Sequence, residues 1–195
     1  MSSPSASSPS GQSSSHSETR TTVSPSHAVY VGSFDPMTLG HLDIVRRATR
    51  VFQKVTVGIG INPDKSTLFT PEERVQLCQQ AMQGLTSVEV RTFSGLAVDF
   101  VRDCGSRILL RGVRSLTDID AEFTMSLTNR VLDQEIESIF LMSAERYAHI
   151  SSSLIKQIAT MARGNATLKL KEFVPSQIIA PLIQRLRCES PPVDH

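Results

Sequence analysis

The feature that most constrains this chain is a regular alternation of short β-branched runs with longer segments of helical period. Ala28-Val29-Tyr30-Val31 is an apolar run that stops at Gly32. Leu42, Val45, Ala48 and Phe52 then recur at helical spacing, with Ile44 and Val51 beside them. Residues 54–60 (KVTVGIG) predict a second strand. Thr70-Pro71-Glu72-Glu73 forms a capping box with proline at the first helical position, and predicts a helix to about Gln83. Residues 87–92 (SVEVRT) predict a third strand, and Ser94 is placed to cap a short helix carrying Leu96, Phe100 and Val101. Residues 107–110 (RILL) predict a fourth strand. Thr117 or Asp118 opens a helix with Phe123, Leu127 and Val131, and residues 137–142 (ESIFLM) predict a fifth strand. Ser151, Ser152 and Ser153 open a helix that runs to about Met161 and closes near Gly164-Asn165, and a last helix follows Pro175.

This order predicts an α/β fold: a Rossmann-like, doubly wound, five-stranded parallel sheet with helices on both faces. Such sheets bind ligands beyond the carboxyl ends of their strands, where the strand order reverses. Chemistry-bearing residues are therefore expected just after strands.

Composition bounds the rest. The chain has 195 residues, consistent with one domain plus tails. Residues 1–27 are mostly Ser with Pro, Thr and Gly, and their low apolar content predicts a disordered leader without the apolar core of a secretory signal. Residues 28–187 are the expected folded domain, and 188–195 a flexible tail. The 20 basic and 19 acidic side chains leave a net charge of +1, which with no Trp argues against a nucleic-acid partner. No run approaches ~18 consecutive apolar residues, so no membrane span is expected. Three cysteines without a C-x-x-C fit a reducing cytoplasm and supply no disulfide framework or zinc site.

Two strand-end motifs carry chemistry. The first is Gly32-Ser33-Phe34-Asp35-Pro36-Met37-Thr38-Leu39-Gly40-His41. Gly32 and Ser33 allow a sharp turn where a ligand can approach. Thr38 is positioned to cap the next helix, which puts Gly40 and His41 in its first turn. Free N–H groups there favour an anion, and His41 can donate a hydrogen bond to it. Taken alone, His41 reads equally as a surface histidine in a plain strand–turn–helix link. The second motif is Ile150-Ser151-Ser152-Ser153-Leu154-Ile155-Lys156, which offers hydroxyls, backbone N–H groups and a cation to phosphate oxygens. Taken alone, it is also an over-supplied N-cap.

Together these strings resemble the T-x-G-H and Ser-rich I-S-S-S signatures of the nucleotidyltransferase superfamily. More narrowly, the chain resembles the bacterial phosphopantetheine adenylyltransferase family from Tyr30 to Pro175. The marks are GSFDPMTLGH at 32–41, NPDK at 62–65, FTPEER at 69–74, SGLAVDF at 94–100, RGVR at 111–114, NR at 129–130 and ERYAHISSS at 145–153. The resemblance implies transfer of AMP from ATP to 4′-phosphopantetheine, giving dephospho-coenzyme A and pyrophosphate. It also implies Mg²⁺ held through the ATP phosphates, with no protein metal site, and a homohexamer built as a dimer of trimers. His41 matches the residue that donates to the α-phosphate, and Lys65 the one that neutralises the attacking phosphate. Arg111 matches the clamp on that phosphate, with Ser33 holding it as well. Leu96 and Ala97 match positions along the pantetheine arm. The ATP site implied by the match comprises Ser33, Phe34, His41, Gly112, Val113, Arg114 and Glu122, then Tyr147, Ala148, His149, Ile150, Ser151, Ser152 and Ser153.

One departure stands out. Many relatives read F-E-Y-E where this chain has Ile119-Asp120-Ala121-Glu122. The change bears on packing of that helix, a subunit contact or substrate affinity. Two rival functions share the motifs: a sister enzyme acting on nicotinate mononucleotide or with CTP, and a non-catalytic nucleotide-binding module. The S-S-S-L-I-K string and the R-G-V-R block favour the pantetheine enzyme over the first. The presence of both His41 and Lys65 argues against the second.

Overall fold

The computed structural model describes residues 26–162 and 165–189. Most of the stretch expected to be a leader lies outside those residues, as does most of the expected tail. Five parallel strands, β1 (His27–Gly32), β2 (Lys54–Ile61), β3 (Val88–Ser94), β4 (Ile108–Val113) and β5 (Glu137–Met142), form one sheet in the order β3-β2-β1-β4-β5. The order reverses between β1 and β4, so the switch point lies at their carboxyl ends.

Among the described residues seven α-helices join and follow the strands: α1 (Leu39–Ala48), α2 (Pro71–Ala81), α3 (Ala97–Asp103), α4 (Leu116–Leu132), α5 (Ser152–Met161), α6 (Ala166–Leu170) and α7 (Ser176–Glu189). Side chains alternate across the sheet as the strand period requires. Ala28, Tyr30, Val55, Val57 and Ile59 join a core with α1, α2, α5 and α7. Val29, Val31 and Leu109 join a second core with Val98, Phe100 and Val101 of α3. Both faces are thus covered, as the doubly wound reading expects. On the second face Gly58 makes room for Phe100. A Cβ at Gly58 would lie 2.4 Å from Phe100 Cε1, and Phe100 stacks on Phe93 with centroids 4.4 Å apart.

Several boundaries differ from the sequence reading. β1 begins at His27, which is buried and bonded to Thr56 at 2.8 Å, so the domain starts inside the expected leader. At its other end, α7 continues to Glu189. Ser94 closes β3 rather than capping α3, whose N-cap is Leu96 with no side-chain bond. Ser115, not Thr117 or Asp118, caps α4, accepting from Asp118 N at 3.1 Å. β4 runs on to Val113, because pairing with β5 continues through Val113↔Met142. Arg111 and Gly112 therefore lie within the strand, not after it. Helix α4 buries little of its apolar stripe: Phe123 is 57%, Leu127 52% and Val131 83% exposed.

Candidate active site

The loop from Gly32 to Thr38 crosses the switch point. Gly32 is needed there because a Cβ would meet Phe34 Cζ at 3.1 Å. Phe34 is buried in the left-handed region at φ 46°, a strained choice for a bulky residue. Its ring meets Tyr30 edge-on at 5.4 Å and His41 at 5.1 Å between centroids. The conformation thus packs one side of the His41 imidazole.

The other side of His41 is set by a reciprocal cap. Thr38 Oγ1 accepts from His41 N at 3.2 Å, and the Thr38 backbone N–H donates to His41 Nδ1 at 3.1 Å. A backbone amide can only donate, so Nδ1 is the acceptor and the ring proton resides on Nε2. Burial, aided by the nearby Arg114 charge, lowers the imidazole pKa to about 4. His41 is therefore a neutral donor at neutral pH.

A cleft of about 280 Å³ opens beside it, lined by Ser33, Phe34, Gly40, His41, Arg111, Gly112, Arg114, Glu122, Ile150, Ser151 and Ser152, among others. Most of the expected ATP-site residues thus meet in one place. Gly112 keeps the floor low, since a Cβ there would crowd the Tyr30 hydroxyl at 3.1 Å. Arg111 and Glu122 form a two-pronged pair, Nε–Oε2 at 2.5 Å and Nη2–Oε1 at 2.6 Å. The expected substrate clamp and the expected ATP contact are therefore coupled to each other. Arg114 is likewise held by Asp118 at 2.8 Å and donates to Ile150 O at 2.7 Å, joining β4 to the second motif.

Ser151 caps α5 by accepting from Leu154 N, and Ser152 Oγ donates to Pro36 O at 2.9 Å. Both hydroxyls thus have structural work, while Ser153 is exposed and outside the cleft lining. Lys156, read as a phosphate cation, instead pairs with Asp35 at 3.1 Å. Tyr147 closes the 3-10 turn Glu145–Tyr147 and backs onto Gly40. Val113, Ala148 and His149 do not line the cleft.

A second cavity of about 190 Å³ adjoins through Ser33, which lines both, and includes Lys65, Asn62, Phe93 and Gly95. Leu96 follows Gly95 and is half exposed, and Ala97 starts α3; neither lines this cavity. Buried Arg74, quoted in the FTPEER mark but given no role there, donates to Ser33 O at 2.9 Å and Gly60 O at 3.2 Å and so ties the rims of β1 and β2 together.

Comparison with known proteins agrees with this geometry. A cytidylyltransferase-like family profile matches residues 29–158. A phosphopantetheine adenylyltransferase of Rhodopirellula baltica is 54% identical over 86% of this chain and 93% of its own. Another, of Clostridium tetani, is 45% identical over 81% of this chain and 96% of its own. The chain belongs to the phosphopantetheine adenylyltransferase family. Among solved structures, a nicotinate-nucleotide adenylyltransferase of Vibrio parahaemolyticus superposes with TM-score 0.61 at 12% identity, covering 84% of this chain and 96% of that one. A nicotinic acid mononucleotide adenylyltransferase of Plasmodium falciparum gives 0.58 at 13%, covering 84% and 95%. These two share the fold. The cleft lies at the β1/β4 switch point, the place where doubly wound sheets bind their ligands.

Proposed function

We propose that the chain transfers the adenylyl group of ATP to the phosphate of 4′-phosphopantetheine. The observation that carries this reading is the pair of cavities meeting at Ser33. One is ringed by His41, Arg111, Arg114 and the start of α5, and the other holds Lys65. A polyphosphate in the first and an acceptor phosphate in the second would meet between His41 and Lys65. An acceptor oxygen attacks the α-phosphorus, a new P–O bond forms, and the bond to the bridging β-oxygen breaks with its electrons leaving on pyrophosphate.

The acceptor is an anion at neutral pH, so no general base is required. Charge and position are the difficulty. His41 Nε2–H donates to the α-phosphate as negative charge grows. Lys65 neutralises the approaching phosphate, and the planar Arg111 fork, which lines the first cavity, grips that phosphate only where the two cavities meet and once Glu122 shares or yields its hold. Covalent catalysis by Cys78 or Cys104 is disfavoured, since burial pushes the Cys78 thiol up to about 12 and raises that of Cys104.

Magnesium is proposed to enter with ATP. The described residues hold no group of three or more His, Cys, Asp or Glu suited to a metal, and the cleft carboxylates Asp118 and Glu122 are both engaged by arginines. When bound, the ion shields phosphate charge, and no step requires a protein-held metal. A homohexamer is the proposed assembly, supported by the exposed apolar stripe of α4 and by Met142, 61% exposed on β5. Cytoplasmic location is proposed as well; no described helix is long and apolar enough to cross a membrane.

The test is pyrophosphate release with ATP and Mg²⁺ in parallel with 4′-phosphopantetheine, nicotinate mononucleotide or no acceptor, plus CTP with glycerol 3-phosphate. Release with 4′-phosphopantetheine alone is expected. Release only with another acceptor overturns the substrate assignment, and release with none overturns the reaction.

A further inference from the structure

Asp35 sits in the first motif, is only 4% exposed, and lines neither of the two cavities. Its carboxylate accepts from three donors on two separate parts of the fold. Oδ1 accepts from Phe69 N at 3.0 Å, and Oδ2 accepts from Leu68 N at 2.8 Å and from Lys156 Nζ at 3.1 Å. Leu68 and Phe69 end the loop that carries Lys65, and Lys156 lies one turn into α5, behind the Ser-rich motif. The loop bearing Asp35 leads directly to Thr38 and His41.

We propose that Asp35 is a positioning residue for adenylyl transfer, using its tie to Lys156 of α5 to hold the loop that carries Lys65 in place relative to His41. The proposal rests on the adenylyl-transfer reading above. Three observations support it beyond burial. Three donors converge on one side chain, which needs two acceptor oxygens and a negative charge, and only a carboxylate supplies both. The adjoining residue repeats the tie, since Ser152 Oγ donates to Pro36 O. Moreover, no other described carboxylate pairs with Lys156, so losing Asp35 frees the cation and the loop together. Asp35→Asn keeps the shape but must turn an amide NH₂ toward one of three donors.

Such a role works through Lys65, and that makes it separable from plain stability. In the full-length chain, Asp35→Asn is expected to lower kcat ~30-fold while leaving the ATP Kd, read by calorimetry, within ~3-fold. In a Lys65→Ala background the same change is expected to cost less than ~3-fold more, because the misplaced group is already gone. Lys156→Met, at a partly exposed position, is expected to lower kcat ~5-fold with the same non-additivity, and Lys156→Arg to restore most of it. If Asp35→Asn does not fold, the Lys156 series decides. Losses that multiply fully in the Lys65→Ala background, or an unchanged kcat in Lys156→Met, overturn the proposal. Should the wild-type chain prefer a different acceptor, the substrate reading fails, and the same variants are compared on that acceptor.

Discussion

Thr38 and His41 cap one another at the start of α1, the hydroxyl accepting at 3.2 Å and the imidazole Nδ1 at 3.1 Å. The helix-capping bond and the donor tautomer are thus one arrangement: satisfying the N-cap amide leaves the ring proton on Nε2. This relationship gives His41 a pH signature. Its pKa of about 4 lies below the ordinary 6.5, so the folded state binds fewer protons between those values. Stability from the neutral ring is complete above pH 6.5 and is lost as the pH falls toward 4.

His41→Asn should therefore flatten the fall of the thermal midpoint between pH 6.5 and 4 relative to wild type. Buried His27, also lowered, contributes to the slope that remains, as do the carboxylates of Glu89, Asp118 and Asp133, which their Lys and Arg partners hold below the usual range. The variant should also lower kcat by ~10²-fold, the scale of losing one donor to a developing oxyanion, with ATP affinity largely kept. Scanning calorimetry across pH and steady-state kinetics check the two halves.

Arg111 offers a second test. Its fork is matched to Glu122 at 2.5 and 2.6 Å, so its orientation is prepared before any phosphate arrives. Arg111→Lys keeps the charge but loses the fork, and kcat/KM for the acceptor should fall by ~10- to 100-fold. Glu122→Gln should cost less, about tenfold, because the guanidinium survives without its guide. Initial rates at varied acceptor concentration measure both.

Gly58→Ala tests the packing of the second core. The new methyl would sit 2.4 Å from Phe100 Cε1 and 3.2 Å from Val31 Cγ1, both buried. Displacing the Phe93–Phe100 stack should cost ~1–3 kcal/mol in urea unfolding, the usual range for overpacking. Phe93 also lines the cavity that holds Lys65, so the shifted stack should raise KM for the acceptor as well.

Helix α4 carries the prediction about assembly. Leu127 is 52% and Val131 83% exposed, a poor use of apolar surface unless another copy covers them. Leu127→Glu and Val131→Glu should shift the mass seen by light scattering from a hexamer to smaller species. A wild-type chain that is monomeric at all concentrations contradicts the assembly.

Much of this was legible in the residues. The alternation predicts all five strands, and the expected β5 span coincides with Glu137–Met142. The Thr70–Glu73 box and the Thr38 cap are local, so short-range rules find them. What escaped depends on tertiary partners. The last three residues of β4 look like a loop because Arg111 and Gly112 interrupt the apolar run, and only pairing with β5 carries the strand onward. Helical periodicity in α4 shows that one face is apolar, but not whether it meets the sheet or another chain. The Asp35–Lys156 pair spans 121 positions, beyond any local pattern. Proximity to Ser residues made Lys156 look like a phosphate ligand, whereas a buried carboxylate holds it in the fold. Arg74 closes the FTPEER mark, but its role could not be read there, since its partners are two distant backbone carbonyls, Ser33 O and Gly60 O.

The most direct measurement follows the α-phosphorus itself. ATP labelled at that position is incubated with the chain, Mg²⁺ and 4′-phosphopantetheine, and the products are separated. The account predicts label in dephospho-coenzyme A and unlabelled pyrophosphate in equal amounts. Label appearing as free AMP, or remaining in ATP while folded protein binds both substrates, would contradict it.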